Sequence, residues 1–274
     1  MATPSNYVLG RSPHEHERLT FQARLLRPYT DRFFRSAGIT PGMRVLDVGS
    51  GVGDVAMVAG DIVGPGGAVL GIDRDATGLE VATQRAMHQG LGRWVSFQAS
   101  QLDEFSSDEP FDAIVGRFIL MYQSDAAATL RRLLRSVKPG GIVVFHEMDF
   151  SRGESSDPPC ALWDQAYRLV GEVFRRAGAP PDFGRRMAKT YLDAGLPFPI
   201  VAAESVVGGG KGSYVYPWIS YTLQTIAPRI AGLGIETDLV IDDSLASRLE
   251  AAVVAAQSQI LGPIQYGAWT MKPL

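Results

Sequence analysis

Three glycines at alternate positions, Gly49, Gly51 and Gly53, follow the apolar run Val45-Leu46-Asp47-Val48. A buried strand that ends in such a run needs a turn too tight, and too close to a bound group, for side chains. Glycine tolerates positive φ and lets backbone amides approach an anionic or polar ligand. Two acids stand beside this turn. Asp47 lies two residues before the first glycine, and Asp73 closes the next apolar run, Val69-Leu70-Gly71-Ile72-Asp73-Arg74. An acid at the end of a second strand can accept both hydrogen bonds of a ribose diol.

Further along, Phe145-His146-Glu147-Met148-Asp149 ends another apolar run with groups able to move a proton. His146 titrates near neutrality and is the first candidate for a general base. Strand alternation puts His146 and Met148 on one face and Glu147 and Asp149 on the other. Glu147 is read as a contact to the substrate that accepts the chemistry, and Tyr122, in Leu120-Met121-Tyr122, as a weaker catalytic candidate. His14, His16 and His88 are read as solvated, and the single Cys160 as a packing residue. No grouping suggests a metal site.

The elements that must position these residues read as strict alternation. Strands are expected at 44–49, 68–73, 95–100, 111–117 and 142–148. Helices are expected at 53–63, 77–89 and 125–137, the last stopped by Lys138-Pro139-Gly140-Gly141. Continuously apolar strands alternating with helices imply a parallel sheet covered on both faces, with right-handed crossovers. Outside this region, helices are expected at 14–34, 158–177, 185–194 and 244–257, and strands at 200–207 and 264–271. Gly208 to Gly212 reads as a hinge-like loop, followed by an aromatic cluster of Tyr214, Tyr216, Trp218 and Tyr221.

Glycine spacing begins to choose the cofactor. G-x-G-x-G is one residue shorter than the G-x-G-x-x-G of dinucleotide enzymes, and Asp47 stands where a dehydrogenase strand is usually apolar. Asp73 suits either NAD or S-adenosylmethionine. Val45 to Gly53, the second-strand acid, Val95 to Leu102, Phe111 to Arg117 and Val137 to Val144, taken in order, resemble the class I S-adenosylmethionine-dependent methyltransferases. The likeness covers residues 44–148 and extends more weakly to strands near 200–207 and 264–271. Tyr7 to Arg11, with Glu17, Arg18, Leu19 and Gln22, looks like the cofactor-capping helix of members that act on small molecules.

The resemblance implies an α/β fold, a Rossmann-like doubly wound, mostly parallel seven-stranded sheet with helical cap insertions. It divides the chain into an N-terminal cap segment (1–40), a cofactor-binding core (41–150) and a remainder (151–274) with insertions at about 151–180 and 211–262. It also implies roles. Gly49, Ser50 and Gly51 would pass under the methionine moiety and ribose of S-adenosylmethionine, whose product is S-adenosylhomocysteine. Asp47 would order that loop and reach the amino group, Asp73 would hold the ribose, and Arg74 would lie against the adenine. Ser100 and Gln101 would face the adenine edge, Arg117 would offer its backbone carbonyl to the amino group, and Tyr7 would belong to the cap. Many members carry Asp where Ser100 stands.

Composition limits the remaining choices. The chain has 274 residues, 46 % hydrophobic and 20 % charged, and a net charge of −3 from 26 basic and 29 acidic residues, which offers no field for nucleic acid or anionic membrane. No Asn-Pro-Pro-Tyr stretch follows the fourth strand, where enzymes that methylate nucleic-acid amino groups often carry one. One cysteine excludes a disulfide framework, no run is long enough to span a bilayer, and the N-terminus lacks a signal-peptide core. The expected protein is a cytoplasmic methyltransferase for a small, apolar or aromatic metabolite of the kind made in secondary metabolism, with oxygen favoured over nitrogen or carbon as acceptor. It binds neither nucleic acid nor membrane, and self-association stays open. The alternatives are a relative that keeps the cofactor but catalyses a cyclisation or rearrangement, and an NAD-dependent oxidoreductase.

Overall fold

A computed structural model describes residues 13–153 and 155–274, with side chains from Phe21 onward. The expected position of Tyr7 lies outside the described residues, as do the side chains of His14 and His16. The chain divides into two compact units. Of the described residues, one contains 26–147, 185–202 and 266–274; the other contains 13–25 with 148–153, 155–184 and 203–265.

The first unit is built on the chain's alternating half. Strands β1 (Arg44–Val48), β2 (Ala68–Asp73), β3 (Val95–Ala99), β4 (Phe111–Arg117) and β5 (Val137–Asp149) pair in the order β3-β2-β1-β4-β5. All four pairings are parallel. Register sets Asp47 against Gly71 and Val115, and Arg117 against His146. These residues therefore share one face of the sheet near the carboxyl ends of the strands. Helix α1 (Pro13–Ala37) and helix α2 (Asp54–Val63) supply Phe34, Val55, Ala59 and Ile62 to the core on that face, against Val45, Ala113, Val115 and Val144. Helices α3 (Ala76–His88) and α4 (Ala126–Leu133) complete the crossovers.

Lys138-Pro139-Gly140-Gly141 differs from the expected simple turn. β5 begins at Val137 and runs through it, with a register irregularity between Phe111 and Ala113 and Gly140 at φ 72°. The end of strand β8 (Gln259–Met271) causes this. The Gly140 amide donates to the Lys272 carbonyl at 2.9 Å, and the Lys272 amide donates to Gly141 at 2.8 Å.

The second unit packs helices α5 (Ala161–Arg176), α7 (Val215–Ile230) and α8 (Leu245–Ala255) together. Between α5 and α7 in the chain come helix α6 (Phe183–Asp193) and strand β7 (Ile200–Gly209), and the two-residue strand β6 (Ser156–Asp157) precedes α5. β6 pairs antiparallel with Gln259 and Ile260 of β8, which also pairs with β7. Trp163, Tyr167, Phe174, Tyr216 and Trp218 are fully or almost fully buried in this unit, with Trp163 edge-on to Tyr216. Tyr214 and Tyr221 are exposed and meet Phe21. Cys160 is buried at the start of α5. Among the described residues, no helix is long and apolar enough to cross a membrane.

Candidate active site

The carboxyl ends of β1, β2, β4 and β5 gather the expected site residues within the first unit. Gly49, Gly51 and Gly53 adopt φ of 69°, 52° and 87°. The amides of Gly49 and Ser50 both donate to the Ile72 carbonyl, at 2.8 and 3.0 Å, and pin the loop to β2. The three glycines are required for different reasons. A Cβ on Gly49 would stand 2.5 Å from the Ile119 side chain, and one on Gly53 would stand 2.9 Å from Ala82 and Phe97. Nothing lies within 4 Å of a Cβ built on Gly51. A left-handed glycine facing open space, between two packed ones, is a cradle for a ligand.

Asp73 is fixed by this loop. One carboxylate oxygen accepts from the Gly51 amide at 2.9 Å and the other from the Asp75 amide at 2.9 Å. The Ser100 amide donates to the Asp73 carbonyl, which brings the end of β3 beside it. Ser100 is half-buried, and Arg74 and Gln101 are exposed. Arg85 of α3 closes the far end of the loop. Its guanidinium donates to the Val52 carbonyl and pairs with Asp54 at 2.6 Å.

Asp47 is wholly buried, and neither carboxylate oxygen has a hydrogen-bonding partner within normal distance. Burial pushes its pKa up to about 8. The Arg117 guanidinium and the Ala56 amide pull it down, while Asp73 and Asp54 reinforce the rise. A buried acid with no donor at normal hydrogen-bond distance, beside an open cradle, suits a cationic ligand group.

His146 is also wholly buried. Its Nδ1 lies 3.0 Å from the Thr30 hydroxyl, and its ring sits edge-on to Phe33 and Phe118. Glu147, on the opposite face, accepts from the Ile119 and Leu120 amides at 3.0 and 2.8 Å through Oε1, and burial raises its pKa to about 8. It thereby holds the segment that carries Tyr122, which is buried. That segment begins with Phe118, a non-glycine residue at φ 56°. Local strain of this kind, about 1–3 kcal/mol, tends to gather at functional sites.

Several contributors were not read from the sequence. Asp54, directly after Gly53, offered a signal by position. Thr30 and Phe118 offered none, since one threonine on an amphipathic helix and one aromatic after a strand are ordinary.

Comparison with known proteins bears on this geometry. A methyltransferase-domain profile matches residues 39–176, half of the chain. The chain belongs to the methyltransferase domain family. Its Rossmann-like fold is that of the class I S-adenosylmethionine-dependent methyltransferases. The demethylmenaquinone methyltransferase of Geobacillus kaustophilus is 30 % identical over 157 residues, 57 % of this chain and 62 % of that enzyme. The chain thus spans about three-fifths of the length of that curated relative. In fold it is similar to a methyltransferase structure from Bacillus halodurans (TM-score 0.58, 15 % identity, 89 % of this chain and 99 % of that one). It is similar as well to the 4+2 cyclase SpnF (TM-score 0.53, 19 % identity, 90 % of this chain and 82 % of that one).

The residues present fit the cofactor. The Gly51 cradle has room for a ligand. The Asp73 carboxylate uses one lone pair on each oxygen for backbone and keeps others toward a diol. The Asp47 carboxyl awaits a donor.

Proposed function

We propose that this methyltransferase moves the methyl group of S-adenosylmethionine to a small apolar acceptor with an ionisable hydroxyl, oxygen being the receiving atom. The observation that carries the donor side is Asp47, buried without a hydrogen-bond donor beside the open face of Gly51. The family membership supports the same reading. On the acceptor side, support comes from the modest net charge of −3 and from the apolar segment Phe118-Ile119-Leu120-Met121 that follows β4.

The bound cofactor supplies an activated methyl group. Because the leaving sulfur sheds its positive charge, this chain need not stabilise a new anion there. Its residues instead orient the reactants and exclude water. Asp47 and the Arg117 carbonyl receive the ammonium end of the cofactor, and Asp73 holds the ribose. Arg74, Ser100 and Gln101 meet the adenine. His146 is the base for the acceptor's proton, a step worth roughly 10²–10⁴-fold, with Tyr122 the weaker catalytic candidate and Glu147 an acceptor-side contact. His146 meets the Thr30 hydroxyl through Nδ1.

A second reading, favoured by the identity to demethylmenaquinone methyltransferase, makes the acceptor a ring carbon next to the hydroxyl. Both come from one deprotonated hydroxyarene, in which oxygen and the neighbouring carbon share the charge. The test is turnover of methyl-labelled S-adenosylmethionine with a panel of hydroxyarenes, read by mass and by the position of the label. A labelled methyl ether supports the first reading and a labelled ring methyl the second. Product of unchanged mass would contradict both.

A further inference from the structure

A buried polar chain runs under the cofactor loop. From α3, Arg85 pairs with Asp54 at the start of α2, at 2.6 Å. Arg117 at the end of β4 approaches the other Asp54 oxygen at 3.7 Å and donates to the Thr30 hydroxyl of α1 at 3.2 Å. Thr30 then meets His146 of β5. The Arg117 side chain is only 5 % exposed, and a buried cation is expensive unless the structure uses its charge.

Sheet register shows what that charge faces. Asp47 pairs with Val115, and Arg117 lies two residues on along β4, so both side chains point to the face covered by α1 and α2. Asp47 has no hydrogen-bond donor within normal distance there. The charged groups that act on it are Arg117, Asp73 and Asp54, and Arg85 already offsets Asp54. Arg117 is therefore the cation set against Asp47.

We propose that the Arg117 side chain is a positioning residue for the amino-acid end of the cofactor: it is the buried counter-charge that lets Asp47 ionise against the incoming ammonium group. This rests on the reading of Asp47 as the ammonium's acceptor. It gives the guanidinium a role separate from that of the Arg117 carbonyl. Binding follows a defined proton balance. Burial favours the neutral form of the Asp47 carboxyl, so arrival of the ammonium group is coupled to release of its proton to solvent, and the Asp47–ammonium pair forms beside Arg117. Thr30 and Asp54 hold the guanidinium in place for this.

The test needs no methyl acceptor. S-adenosylhomocysteine carries the ammonium group, and 5′-methylthioadenosine keeps the nucleoside but lacks it. Binding of both is measured by calorimetry at pH 7, in buffers of different ionisation enthalpy, for the wild type, Arg117→Lys, Arg117→Met, Asp47→Asn and the Asp47→Asn/Arg117→Met double variant. In the wild type, S-adenosylhomocysteine should release protons on binding and methylthioadenosine none. Arg117→Met should cut the preference for S-adenosylhomocysteine about tenfold or more and leave methylthioadenosine affinity unchanged, while Arg117→Lys restores most of it. The double variant should lose no more preference than Asp47→Asn alone, because a shared pathway is non-additive.

Additive losses, or an unchanged preference in Arg117→Met, would overturn the proposal. Proton release is measured on the wild type, so a variant that fails to fold leaves a decisive result, and absence of release would also overturn it. A wild type that binds neither nucleoside would instead defeat the cofactor reading beneath it.

Discussion

Replacing Asp73 by alanine removes two contacts of known geometry and, with them, the expected hold on the ribose. Each carboxylate oxygen accepts one backbone amide at 2.9 Å, from Gly51 and from Asp75. Hydrogen bonds to a charged acceptor contribute about 1.5–3 kcal/mol each when well buried. Asp73 is half-exposed, and water can replace it, so about 1 kcal/mol for each bond is the better figure. A loss near 2 kcal/mol lowers Tm by about 4–8 °C in a chain of this size.

The ribose adds a separate effect. Both oxygens keep lone pairs for a diol, and loss of even one such bond weakens binding about tenfold or more. Differential scanning fluorimetry reads the first effect, and calorimetric titration with S-adenosylhomocysteine reads the second. A fall in Tm with affinity unchanged within about twofold would show that Asp73 only orders the loop. No change in either would refute the reasoning altogether.

Four further outcomes follow from the same geometry. Gly51→Ala, at φ 52° with open space beyond its Cβ, should cost only about 1–2 kcal/mol of stability but weaken S-adenosylhomocysteine by more than tenfold. Gly49→Ala, driven against Ile119, should mainly unfold the protein, and the reverse pattern in a melting and binding comparison would misplace the cradle. Glu147 and Asp47 each have a folded pKa raised to about 8, so in both cases the folded state holds a proton that the unfolded chain releases above pH 4–5. Their contribution is therefore fully present at low pH and is lost as pH rises through about 8. Glu147→Gln should flatten the decline in Tm between pH 5 and about 8, and an unchanged slope would contradict this placement. His146→Gln should lower turnover with the best acceptor and leave S-adenosylhomocysteine affinity within about twofold, and full activity across the pH range would remove His146 as base.

How much was legible from the sequence varied with the kind of signal. The five strands from Arg44 to Asp149 announced themselves, because strands covered on both faces are continuously apolar, and Gly49, Gly51 and Gly53 marked the turn between β1 and α2. Pairing was less visible. The Lys138 to Gly141 segment reads as a turn by composition, yet β8 binds it from more than a hundred residues away and draws it into β5. β8 itself begins five residues before the expected Ile264, since Gly262 and Pro263 argue against a strand unless tertiary pairing overrides them.

Helix α7 stayed hidden behind its aromatics and its internal Pro228; the sequence showed a cluster where the fold makes a helix. At the site, the acids and glycines stood out by type and spacing. Thr30, Asp54 and Arg117 became a chain only when three elements met around one buried carboxylate. Single side chains on separate elements carry no sequence period, so their juxtaposition belongs to packing.

The most direct test of the central claim is calorimetric titration of the purified protein with S-adenosylmethionine and, separately, with NAD. Saturable one-to-one binding of S-adenosylmethionine, weakened more than tenfold in Gly51→Ala, with no heat of binding from NAD, is the predicted result. Saturable binding of NAD with none of S-adenosylmethionine would contradict it.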